Sequence, residues 1–96
     1  MKKALWYLFA ATRGGENRVR LVQAIRSHPK NANQLSNTLD LGYNTVRYHL
    51  DLLIEHNVIE EGNQEYGRLY FLTEQFEQHL EEFDSIIENM EDSTWQ

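Results

Sequence analysis

The 96-residue chain contains no cysteine. Disulfides, thiolate metal sites and thiol-based redox sensing are thereby excluded. It also lacks any apolar stretch near the roughly 20 residues needed to cross a bilayer. The N-terminal run from Ala4 to Ala11 follows Lys2 and Lys3 as a signal peptide would, but it contains Trp6 and Tyr7. It ends in Thr-Arg-Gly-Gly, where a small-x-small cleavage site would be needed, so a cytoplasmic protein is expected. No nucleophile–base pair or convergent acid pair is present. Gly14-Gly15 lacks the preceding strand and the Lys-Ser/Thr of a phosphate loop, so catalysis is not expected and no cofactor is implied.

Lysine and arginine are absent from the last quarter of the chain. Residues 74–96 hold eight Asp/Glu and no Lys/Arg, a balance of -8. Residues 1–73 hold nine Lys/Arg against seven Asp/Glu, a balance of +2. The net charge of -6 therefore belongs to the tail, and the first part carries the mild basic character that a nucleic-acid binder needs.

What the chain does contain is concentrated between Asn31 and Asn57. Ala32, Leu35 and Leu39 recur at three and four residues, one apolar stripe of a helix. A short turn, Asp40-Leu41-Gly42, follows. Val46, Leu50 and Leu53 repeat the spacing, while Tyr43, Asn44, Thr45, Arg47 and Tyr48 fall near the start of this second helix, mostly off its stripe. That is the layout of a helix-turn-helix whose second helix can lie in the DNA major groove with its N-terminal residues at base edges. Asn pairs naturally with adenine and Arg with guanine there, although Asn44 or Thr45 could instead cap the helix. Lys30 and Arg26 are candidates for contacts to phosphate, or plain surface charges.

The flanking segments complete the expected architecture. Lys2–Ala11 reads as a helix with Leu5, Leu8, Phe9 and Thr12 on one face and Trp6 and Tyr7 outside it. Glu16–Ser27 is a second helix with Val19, Val22 and Ile25 inward and Arg18, Arg20 and Arg26 pointing elsewhere. It stops at His28-Pro29, because the residue before proline is pushed out of the helical region. Asn31 or Asn33 suits the next N-cap, and Asn57 a left-handed helix end. Val58–Glu61 and Arg68–Leu72 read as strands of a β-hairpin, the wing of a winged-helix domain. Thr73 caps a last helix in which Phe76, Leu80, Phe83, Ile87 and Met90 form a heptad seam. With no lysine to offset its glutamates, that helix suits the apolar first helix or an antiparallel partner better than a parallel copy of itself.

The fold expected is mainly α with a β-hairpin: a winged helix-turn-helix with additional N- and C-terminal helices. One domain spans 1–96, with an N-terminal helix at 1–12, a core at 16–73 (helix-turn-helix 31–57, wing 58–72) and a C-terminal dimerisation helix at 74–92. Three segments, RGGENRVRLVQAI, NANQLSNTLDLGYNTVRYHLDLLIEHNVIE and the wing ending YGRLYFLT, resemble the archaeal winged-helix proteins grouped with ArsR-type transcriptional regulators. The resemblance covers about Arg13 to Thr73. It implies a dimeric DNA-binding regulator whose recognition helix starts near Tyr43. The cysteine motif of the metal-sensing members is missing, Tyr48-His49-Leu50 standing there, which puts metal sensing at that site aside. Glu60, Glu61 and Glu65 beside a single Arg68 give this wing an acidic character.

On this reading the DNA-contacting residues are Tyr43, Asn44, Thr45, Arg47, Tyr48, Lys30, Asn63, Gln64 and Arg68. Leu5, Trp6, Leu8, Phe9, Phe76, Leu80, Phe83, Ile87 and Met90 are the dimer interface. Two recognition helices would then meet half-sites about 34 Å apart on duplex DNA. His49 with His56, seven residues on, and His79 with Glu82 offer too few ligands for a metal site, and structural roles are expected of them. No membrane partner is expected, and the sequence names no small-molecule effector. The competing reading is a winged helix used as a protein-interaction module, with DNA binding weak or lost, motivated by the acidic wing and tail.

Overall fold

The computed structural model describes residues 1–62 and 68–93. Helix α1 (Lys2–Trp6) continues as a π-helical turn over Tyr7–Ala11, followed by α2 (Gly15–Ser27), α3 (Ala32–Leu39) and α4 (Tyr43–Glu55). Strands β1 (Ile59–Glu61) and β2 (Tyr70–Leu72) pair antiparallel, and α5 (Glu74–Glu77) and α6 (Leu80–Ser93) end the described chain. The architecture is mainly helical with one small hairpin. No described helix is long and apolar enough to cross a membrane.

Local signals set the boundaries. Asn31 accepts from the Gln34 amide at 2.8 Å while the Gln34 side chain accepts from the Asn31 amide at 2.9 Å, a capping box that starts α3. Asp40 ends α3 in the left-handed region (φ 54°), where the Leu41 amide reaches the Ser36 carbonyl at 3.1 Å. Asn57 (φ 61°) ends the turn after α4 in the same way. Thr73 has two roles: its Oγ1 accepts from the Phe76 amide at 3.0 Å and donates to the Asn57 carbonyl at 2.6 Å. Thr73→Ala is expected to cost about 1 kcal/mol in urea unfolding, the usual value of an N-cap.

The hairpin pairs Ile59 with Leu72 and Glu61 with Tyr70. A bridge from Lys30 to Tyr70, with the Tyr70 amide donating to the Lys30 carbonyl at 2.9 Å, ties β2 to the entry of α3. This link fixes the hairpin beside α3 and α4. Val46, Leu50 and Leu53 of α4 meet Leu35 of α3, Leu21 and Val22 of α2, and Val58 and Ile59 in one core.

The two end segments close that core from the other side. Phe9 meets Phe83 edge-on at 5.0 Å, and Phe76 meets Phe83 at 5.4 Å. The expectation that Leu5, Leu8, Phe9, Phe76 and Phe83 form a surface between copies is thereby corrected, because each is fully buried within its own protomer. Two apolar faces on one tethered chain see each other at high effective concentration and meet before a second copy arrives. The chain also breaks at Gln78-His79, between α5 and α6, so the seam is not one continuous helix and Ile86 is buried more deeply than Ile87. Leu80, Ile87 and Met90 are half-buried against the core, and Trp6 stays 43% exposed.

Candidate nucleic-acid interface

Helix α4 has two unlike faces. Val46, His49, Leu50 and Leu53 are buried, whereas Tyr43, Asn44, Thr45 and Tyr48 are exposed, Tyr48 by 63%. Gly42 is the N-cap, with no side-chain cap bond, so neither Asn44 nor Thr45 is engaged in capping. Both present hydrogen-bonding groups to solvent at the first turn.

Arg47 is held differently. Its Nη1 donates to the Tyr70 hydroxyl at 2.9 Å, and its Nη2 lies 3.8 Å from Asp51. The guanidinium is thus turned toward the hairpin. It lines a cleft of about 170 Å³ with Asn31, Asn33, Tyr43, Arg68 and Tyr70. Lys30 is a cap, since its ammonium donates to the Ala24 carbonyl at 2.8 Å and the His28 carbonyl at 3.2 Å, closing the end of α2. Arg26 is likewise engaged on the surface, with Asp84 at 3.0 Å, so both cations have local partners in the free protein. Asn63 and Gln64 lie outside the described residues.

Beneath the exposed face sits Arg18, only 1% exposed and without a carboxylate partner among the described residues. This corrects its placement with the outward arginines. Leu8 lies in the last turn of the N-terminal helical segment, where carbonyls run out of helical partners, and Arg18 Nε donates to its carbonyl at 2.6 Å. Nη2 donates to Thr12 Oγ1 at 2.5 Å and to the Arg13 carbonyl at 3.1 Å, and Nη1 meets His49 Nδ1 at 3.1 Å. Gly14 (φ +89°) lets the chain pass over the His49 ring, since a Cβ there would lie 2.7 Å from Cε1. Arg18 thereby joins the N-terminal segment to α4. Sequence carried a signal for it: Arg18 precedes Val22 by four residues and Ile25 by seven, on the apolar stripe itself.

Since Arg18 is a permanent donor, His49 accepts through an unprotonated Nδ1. Burial first, and then the Arg18 charge, lower the His49 pKa from the ordinary 6.5. The unfolded chain therefore takes up a proton before the folded one does. The stability this group contributes is complete above about pH 6.5 and is lost as pH falls through the lower folded-state value. Thermal melts are expected to show Tm falling between about pH 7 and 5, and His49→Gln is expected to flatten that segment. An equal fall in the variant would show that His49 is not its source.

The remaining histidines form no ligand set. His79 Nδ1 lies 3.6 Å from Glu82, and no group of three or more His, Cys, Asp or Glu converges among the described residues. His56 instead stacks obliquely on Tyr7, with centroids 5.7 Å apart. No protein-family model, curated protein or solved structure matches this chain.

Proposed function

We propose that the protein is a sequence-specific DNA-binding transcriptional regulator of the winged-helix type, acting as a homodimer. In this reading α3 and α4 are the helix-turn-helix, β1 and β2 the wing, and the resemblance to the archaeal ArsR-type group gives the functional class. The observation that carries it is the exposed first turns of α4, where Tyr43, Asn44, Thr45 and Tyr48 stand on a helix whose opposite face is anchored in the core. An anchored helix with a polar outer face is what major-groove reading requires. The homodimer draws on Trp6 and on the partly exposed Leu80, Ile87 and Met90, the portions of the end helices left uncovered by the core. Glu60 and Glu61, exposed on β1, favour the second reading, a protein-interaction module.

Selection of duplexes from a random pool distinguishes the two. The expected result is enrichment of a site with two related half-sites centred about one helical turn apart. Asn44→Ala is expected to relax preference at one base pair by about 1–3 kcal/mol. Retention of no duplex even at low salt would refute the reading and leave the interaction module.

A further inference from the structure

We infer that the cleft between the entry of α3, the start of α4 and the hairpin is a phosphate clamp, in which Arg47, Arg68 and Tyr70 hold one phosphodiester of the bound duplex. The inference rests on the DNA-binding reading and divides its residues into two kinds. Arg47 then positions the protein on the backbone, and base reading falls to Asn44 and its exposed neighbours.

Three observations support the assignment. First, two guanidiniums line one cleft of about 170 Å³, room for several water volumes of about 30 Å³ each and hence for one tetrahedral anion. Secondly, Arg68 has no hydrogen-bond or ion-pair partner among the described residues, and its backbone is left-handed (φ 59°) where the chain enters β2. An unpaired arginine opposite a second one is an arrangement that a shared anion would relieve. Thirdly, Tyr70 is 1% exposed, and its hydroxyl accepts from Arg47. The hydroxyl proton is then available to donate to the same anion. Burial raises the Tyr70 pKa above its ordinary 10, keeping that proton in place.

Asp51 is the counterweight. It lies 3.8 Å from Arg47 and would oppose a phosphate arriving there. The clamp therefore has a built-in brake that a neutral residue would remove.

Affinity for a selected duplex and for a scrambled one, each over a salt series, tests the clamp. Arg68→Ala is expected to weaken both by about tenfold and to lower the slope of log K against log salt by about one, the mark of a lost phosphate contact. Asp51→Asn is expected to strengthen both, while Asn44→Ala affects only the selected duplex. An unchanged slope in Arg68→Ala, or a loss confined to the selected duplex, would overturn the clamp while leaving DNA binding intact. A parallel NMR titration with inorganic phosphate separates the two failures. Saturable shifts at residues 31, 33, 47 and 68, lost in Arg68→Ala, are expected. If they occurred without any duplex binding, the anion site would stand and the DNA reading would fall. No shifts and no duplex binding would remove both.

Discussion

Arg18→Ala is expected to lower unfolding free energy by about 3 kcal/mol, because several acceptors lose their charged donor at about 1–3 kcal/mol for each one left buried and unsatisfied. For a domain of this size that is a fall in Tm of roughly 12–24 °C. The side chain is 1% exposed and serves the Leu8 and Arg13 carbonyls, Thr12 and His49 together. Its charge is offset by the carbonyl end of the N-terminal helical segment, where a helix dipole favours a cation. Truncation leaves those acceptors without a donor and opens a void beside them. Arg18→Lys is expected to recover only part of the loss, because a single ammonium cannot reproduce the fork that reaches three directions. A Tm within about 2 °C of wild type for the alanine variant would show that the N-terminal segment holds its place without this joint.

Deleting residues 75–96 is expected to abolish cooperative folding. Phe76, Phe83 and Ile86 are fully buried and cover Phe9, Leu5 and Leu8. At about 1.5–3 kcal/mol per side chain their removal costs about 6 kcal/mol, comparable with the whole stability of a small domain. Thermal denaturation followed by circular dichroism, with light scattering for size, reads the outcome. Loss of the transition with aggregation is expected, whereas a folded, soluble shortened monomer would contradict the place of α5 and α6 in the core. An interface role alone would have predicted such a monomer.

The parts of the fold legible in sequence were those written in short-range chemistry. The cap at Asn31, the turn at Asp40, the left-handed Asn57 and the capping Thr73 each depend on a residue and its next few neighbours, and all four stand as expected. The outward position of Tyr43, Asn44, Thr45 and Tyr48 follows from the same periodicity. What periodicity could not supply was the partner of an apolar face. Phe76 and Phe83 show one, and the sequence leaves the first helix and an antiparallel partner both open; the folded chain shows that Phe9 of the same protomer fills it. Arg47 is a similar case, because its tether, Tyr70, lies 23 residues away on another element. Arg18 differs again: its charge argues for solvent and its position on the stripe for the core, and the fold follows the stripe. The Leu8 carbonyl that receives it lies ten residues earlier on another element, a pairing that leaves no mark in residue spacing.

NMR mapping of the duplex-binding surface tests the central claim most directly. Titrating the selected duplex into isotope-labelled protein is expected to shift the amides of residues 43–48 and of Arg68 first and furthest, with those of α6 little changed. Shifts confined to α6 and the N-terminal segment, or none at any residue of α4 at saturating duplex, would contradict the assignment of α4 as the DNA-reading helix.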